Sequence, residues 1–331
     1  MRAGQAKAAA TVLVAALGLP GGTYAQQADA GWKPTGNVEF IVGAGAGGEN
    51  DRIARAIQRA LTREHLVDSM TVLNKPGATQ IIAMTDLARK QGDANELGLA
   101  SGSFINALAR RGSTLHKQLT PLVKLFDAYQ CYFAGVDSPI KSMVDVRDRL
   151  RADPSSVTFA FPVGLGSPLH VSAVNVGKAA GAPPGKLVTV VFDSGSDVAV
   201  RAAGGHIDVG ETSIGSALPL IQGGKNRMLG IAAPERLAGE LAQYPTLREQ
   251  GLDVVTANSY TVILPNGLAP AQIAYWGRAL DRVMADADFR RDLDLNFWVL
   301  KPIRYPDAAK WMQDDYDENR AVLSELGLLL Q

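Results

Sequence analysis

The chain has 331 residues and balances 33 Lys and Arg against 33 Asp and Glu. A chain without net charge has no field that would gather nucleic acid or an anionic membrane surface. Its single cysteine, Cys131, excludes an internal disulfide, and the length is enough for two packed domains.

The first residues carry an export pattern. Arg2 and Lys7 precede an apolar run at residues 8–19, Pro20-Gly21-Gly22 breaks it, and Thr23-Tyr24-Ala25 offers the small residues a signal peptidase needs. The run is shorter than the roughly 20 residues of a bilayer span. Cleavage near Gln26 and release into the periplasm are therefore expected. No cysteine stands behind the signal to carry a lipid.

Beyond the signal, β-rich and helix-like runs alternate. Residues 38–42 read as a strand, and residues 49–62 place Ile53, Ala54, Ile57 and Leu61 at helical spacing. Residues 71–73 form a second strand, 81–89 a helix and 97–100 a third strand, a βαβαβ order that implies a parallel sheet with helices on both faces. The long apolar run 122–136 suits a crossing strand, and Cys131 within it reads as a small buried hydrophobe. A second round follows: helix 145–151, strand 157–161, helix 169–180, strand 187–192, helix 198–203 and a short strand 207–209. Residues 254–264 would carry the chain back, and residues 270–285 and 308–326 close it as amphipathic helices. The expected fold class is α/β: two Rossmann-like lobes joined by two crossing strands, of the type II periplasmic binding protein kind. Residues 31–127 with 260–331 make one lobe and 128–259 the other.

Chemistry-bearing loops follow the strands. In Ile41-Val42-Gly43-Ala44-Gly45-Ala46-Gly47-Gly48-Glu49-Asn50-Asp51 a strand enters a glycine-rich turn and a helix leaves it. Such a turn lets backbone approach a ligand, and the helix's first N–H groups lack internal partners, which makes an anion site. Asn50 or Asp51 would cap that helix. Gly43, Gly45 and Gly48 also satisfy the dinucleotide fingerprint, but that reading needs a carboxylate ending the second strand, and Leu73-Asn74-Lys75-Pro76-Gly77 has none. Three further loops, Ala100 to Ser103, Phe161 to His170 and Glu211-Thr212-Ser213, supply hydroxyls and backbone donors beyond strand ends, with no fixed cation. In open α/β sheets ligands bind there, and this donor set suits a carboxylate.

Catalytic patterns are weak. His65, His116, His170 and His206 are scattered without metal-ligand spacing, and no G-x-S-x-G elbow occurs. Asp193, Asp197 and Asp208 read as loop, cap and strand residues. Ser167 and His170, three apart at a helix start, would be the pair of an exported hydrolase, though no third group orients them. No cofactor or metal is expected.

The same loops resemble the substrate-binding proteins of tripartite tricarboxylate transporters, the Bug receptors, over nearly the whole chain after the signal. Gly47-Gly48-Glu49-Asn50-Asp51 is similar to the family's Gly-Gly-x-x-Asp, Asn74-Lys75-Pro76-Gly77 to its Asn-Arg-Pro-Gly, and Gly164 to His170 to its Gly-x-x-Ser-Pro-x-His. Gly204-Gly205-His206-Ile207-Asp208, Leu218 to Lys225, and Tyr244-Pro245-Thr246 with Gly251 resemble three more motifs in the same order. The resemblance implies a periplasmic receptor that is not an enzyme. It closes on a small carboxylate-bearing ligand and delivers it to a membrane permease as a monomer; a sensor serving a membrane signalling partner would use the same capture chemistry. Carried over residue by residue, it nominates Gly47, Gly48, Asn50, Ser101 and Ser103 from the first lobe, and Gly166, Ser167 and His170 from the second. Asp193, Thr212 and Ser213 would line the opposite side. Two departures stand out. Gly43 and Ala44 replace the family's proline and aromatic, which implies space over the ligand. Phe192-Asp193-Ser194 replaces Tyr-Lys-Gly, so Asp193 would disfavour a second carboxylate and allow an amide, hydroxyl or ammonium there.

Overall fold

Apolar spacing along the chain sets the first elements. The computed structural model describes residues 31–162 and 164–330, so the export signal expected at residues 1–25 lies outside the described residues. Strand β1 (Asn37–Val42) leads into helix α1 (Glu49–Arg63), whose buried Ile53, Ala54, Ile57, Ala60 and Leu61 form one stripe. Then come β2 (Ser69–Asn74), α2 (Ile81–Arg89), β3 (Glu96–Ser101) and α3 (Gly102–Arg111). The crossing strand is β4 (Leu119–Gly135), 17 residues long and buried at every position but Thr120.

The second round holds α4 (Met143–Ala152), β5 (Thr158–Pro162), α5 (Pro168–Ala179), β6 (Val188–Phe192), α6 (Gly195–Ala203), β7 (Val209–Ser213), α7 (Ile214–Gln222) and β8 (Asn226–Ile231). The return brings β9 (Ala257–Pro265), α8 (Pro270–Ala285), α9 (Ala287–Leu295), β10 (Trp298–Arg304) and α10 (Asp307–Glu325). Among the described residues no helix is long and apolar enough to cross a membrane.

The strands form a curled sheet in the order β2-β1-β3-β9-β4-β7-β5-β6, with β8 and β10 also paired to β4. Pairing is parallel within β2-β1-β3 and β7-β5-β6, and antiparallel wherever β4 or β9 takes part. The two α/β lobes with chain crossing between them are thus present. The first part of β4 pairs with β9 and β10, and from Gln130 onward it pairs with β7 and β8. Its partners therefore change between Tyr129 and Gln130.

Each lobe has a core on both faces. One first-lobe cluster joins Phe40, Ile57 and Trp276, and another joins Phe104, Leu108 and Met312. In the second lobe Phe159 and Phe161 pack on one face, Phe133 and Ile214 on the other. Side chains of this size contribute about 1.5–3 kcal/mol each when fully buried. Val171 and Val174 of α5 join the cluster of α3 and α10, so the lobes touch along that side.

Several elements differ from the sequence reading. Glu211-Thr212-Ser213 is not a loop; it is the end of β7, and α7 and β8 follow it. Residues 100–103 are likewise no loop, because β3 runs through Ser101 and α3 starts at Gly102. Asp208 lies just before β7, where its Oδ2 accepts the Thr158 N–H at 2.9 Å and fixes the start of β5. On the return path Leu252 and Val254 still pack in the second core, and the strand begins only at Ala257.

Candidate functional site

The loop after β1 is stapled from within. Gly47, at φ +79°, turns its N–H to Asp51 Oδ2 at 2.9 Å, and Arg55 Nε donates to the same oxygen at 2.9 Å. Asn74 Nδ2 donates to Asp51 Oδ1 at 2.9 Å and to the Ala44 carbonyl at 3.0 Å. The Arg55 hydrogen bond, helped by Gly47 and Asn74, holds the Asp51 carboxyl at about 2 against the opposing effect of burial. Neither Asn50 nor Asp51 is the cap expected for α1. The N-cap is Gly48, without a side-chain cap bond, and Asp51 reaches past it to Gly47. Asn50 is buried in the first turn. The helix thus starts with amide donors that no side chain caps.

Helix α7 starts in the same way from the other lobe. Its N-cap, Ser213, makes no cap bond, and the Ser213 and Ser216 hydroxyls lie 3.0 Å apart. Between the two helix starts is a cavity of about 350 Å³. Glu49 and Arg52 of α1, Tyr129 of β4, Ser213 and Ser216 of α7, and Asn296 of the turn before β10 line it. Arg52 is exposed, and its Nη1 donates to the Gly47 carbonyl at 3.2 Å. Tyr260 donates its phenolic hydrogen to Glu49 Oε2. The two helix starts carry partial positive charge, and a guanidinium adds a planar, fork-shaped donor. Sequence reasoning expected no fixed cation; the structure supplies Arg52. It also missed Glu49, Ser216 and Asn296. Arg52 stands one residue past the Gly-Gly-x-x-Asp motif, so its position was the available signal.

Other nominated residues sit elsewhere. Ser103 donates its N–H to Asn258 Oδ1 at 3.3 Å. Gly166, at φ +77°, packs where an added Cβ would meet Arg110 Nε of α3 at 3.3 Å and the Leu323 side chain of α10 at 3.4 Å. Ser167 caps α5 by accepting the His170 N–H at 3.3 Å, while His170 Nδ1 accepts the Gly166 N–H at 2.9 Å. The imidazole, stacked 5.3 Å from Phe161, is buried, and burial followed by the Arg110 charge lowers its pKa. His170 is thus held neutral by Gly166, with the Ser167 hydroxyl turned to the helix end. That is capping geometry and differs from a nucleophile and base poised together. Thr212 is buried in β7 with its Oγ1 against Gly195. Among the described residues no group of three or more His, Cys, Asp and Glu is placed to hold a metal.

The model of the tripartite tricarboxylate transporter family receptor matches residues 53–328. The chain belongs to this family. It is similar to the UPF0065 protein of the gbd 5′ region of Cupriavidus necator, 23% identical over 329 residues that cover 98% of this chain and 97% of the relative. A TctC solute-binding protein from Polaromonas superposes with a TM-score of 0.77 at 20% identity, over 88% of this chain and 98% of that one. A Rhodopseudomonas palustris protein solved with adipate gives 0.68 at 20% identity, over 89% and 98%. MatC of the same organism, with bound malate, gives 0.65 at 20% identity, over 87% and 99%.

Against the family pattern, both departures of this receptor have a physical outcome. The space expected over Gly43 is filled. Gln80 leans across it, and a Cβ built on Gly43 would lie 2.6 Å from the Gln80 Cα, Cβ and Cγ. Asp193 is exposed in the turn after β6 and is not among the residues lining the 350 Å³ cavity. The receptor also buries Glu211 completely, opposite Tyr132 across the β4–β7 pair, with no hydrogen bond of ordinary geometry to either carboxylate oxygen. Tyr132 and Ser172, its polar neighbours, join hydroxyls at 2.5 Å. Desolvation pushes the Glu211 carboxyl up to about 8.

Proposed function

We propose that this receptor works in the periplasm, captures a small carboxylate-bearing molecule between its lobes, and delivers it to permease subunits of the tripartite tricarboxylate type without transforming it. The observation that carries this reading is the interlobe cavity, in which two uncapped helix starts and Arg52 converge. Its volume of about 350 Å³ lies in the range of small-molecule sites. Malate and adipate in two relatives of the same fold support an organic acid as the ligand class.

The ligand carboxylate is placed at the α1 and α7 starts, near Gly48, Asn50 and Ser213, with Arg52 pairing to it in bidentate fashion. The moving bodies are residues 31–127 with 260–331 and residues 128–259. Closure bends the chain where β4 changes partners, in keeping with hinge motion that a few residues absorb. Titration calorimetry of the purified protein against mono- and dicarboxylates tests this, with native mass spectrometry to catch a retained ligand. Saturable binding of at least one organic acid, weakened by Arg52→Gln, is the expected result. No binding by any acid, or binding indifferent to Arg52, sinks the reading.

A further inference from the structure

Between the α2 helix and Gly77 the backbone does something that ordinary side chains avoid. Ala78, Thr79 and Gln80 hold φ values of +45°, +52° and +72°, three left-handed non-glycine residues in succession. Strain of this kind collects where a ligand site needs a particular side chain in a particular place. The side chain delivered here is Gln80. It is buried, and its carboxamide spans the end of β3: Oε1 accepts the Ser101 N–H at 3.2 Å, and Nε2 donates to the Ser101 hydroxyl. On its other side Gln80 lies against Gly43, at the end of β1, so closely that only a glycine fits.

We infer that Gln80 is a specificity-determining residue: its carboxamide occupies the β1–β3 end of the ligand cleft, takes the Ser101 N–H that a ligand carboxylate would otherwise use, and so limits the receptor to short acids. This rests on the carboxylate-receptor reading above and deepens it. Three features agree. The position is the carboxyl end of two adjacent parallel strands, where ligands bind in open α/β sheets. Oε1 sits on the Ser101 N–H as a carboxylate oxygen would, while Nε2 anchors the carboxamide by donating to the Ser101 hydroxyl oxygen. The cavity of Arg52 and Ser213 lies beside Tyr129, where β4 changes partners, and Gln80 is not among the residues that line it. An acid seated at the helix starts clears Gln80 when it is short and meets it when it extends to the β3 end.

The test compares wild type, Gln80→Gly and Gln80→Ala by calorimetry against straight-chain dicarboxylates from malonate to adipate. Glycine tolerates a φ of +72°, so Gln80→Gly keeps the fold and removes only the side chain. Its affinity for the longest acids, relative to the shortest, should rise by about tenfold or more, the scale that an added methylene commands in a fitted pocket. Gln80→Ala should show the same re-ranking with a lower melting temperature than Gln80→Gly, because alanine resists that φ. A ranking unchanged within about twofold in both variants, against an expected change of tenfold, overturns the inference while the receptor reading stands. Re-ranking in the glycine variant alone overturns it too, since backbone freedom would then be the cause. If wild type and variants bind no member, this inference is overturned, whereas the receptor reading falls only if the monocarboxylates fail as well.

Discussion

Replacing Glu211 with glutamine tests the electrostatics of the second-lobe core. The carboxyl is fully buried, opposite Tyr132 and beneath Ser172, and its pKa rises from an ordinary 4.5 to about 8. Above pH 4.5 the unfolded chain gives up this proton while the folded chain keeps it, so stability falls as pH rises until the folded group ionises near 8. The slope in that window is about 1.4 kcal/mol per pH unit, which amounts to about 3 kcal/mol lost by pH 7 and about 5 kcal/mol by pH 8. Glutamine keeps the size of the side chain and cannot ionise. Urea denaturation followed by tryptophan fluorescence at half-unit pH steps gives both stabilities. Their difference should be flat below pH 4.5, climb in favour of Glu211→Gln through the window, and level off above 8. Other groups that titrate there, such as buried Asp315 at about 7, cancel between the two proteins. A difference that stays constant from pH 4.5 to 8 would refute the reasoning, because Glu211 would then ionise alike in both states.

Four further outcomes follow from the geometry. Arg52→Gln should weaken carboxylate binding by about tenfold, or about 1.4 kcal/mol, and reduce its salt dependence, with the melting temperature unchanged. Asp51→Asn removes the acceptor shared by Gly47 and Arg55, and should cost about 1–3 kcal/mol at pH 7. The wild type should lose that advantage as pH falls through the depressed pKa of about 2, read by acid titration of the circular dichroism signal. Gly135→Ala would place a methyl 2.3 Å from the Ala202 carbonyl oxygen, and should lower unfolding free energy by about 1–3 kcal/mol in denaturant melts. Cys131, fully buried with its thiol pKa raised by desolvation, should react with a thiol reagent only at the rate of unfolding.

How much of this was legible depends on what each segment advertises. Helices with a full apolar stripe and a clear start, Ile81–Arg89 and Pro270–Ala285, are readable to the residue. Helix α3 was hidden because β3 passes into it without an intervening turn, so Gly102 and Ser103 looked like loop residues. Helix α7 carries Pro219 inside it, and β10 carries Pro302, each of which argues against a regular element in sequence terms. At the site, the glycine loop is legible as a strand-to-helix turn whose first amides no side chain caps, because its signal is local. The contribution of Arg52 was not local. One of four arginines in α1 reads as part of a solvated face, and only the approach of α7 from the other lobe makes it part of a cavity. Gln80 was invisible for the same reason: its meaning lies in a left-handed backbone and in contact with Gly43 and Ser101.

Strand β4 also dictates a sequence of assembly. Strands β5 to β8 find their partners within residues 119–247, so that half of the sheet can close early in synthesis. The half around β1 to β3 must wait, since β3 and the first part of β4 are joined only by β9, and β10 arrives later still. A chain interrupted at residue 256 would hold a finished half attached to three bare strand edges, one on β3 and two on the first part of β4, the kind of surface on which aggregation begins. The last quarter of this polypeptide therefore acts as the closing seam of the part made first.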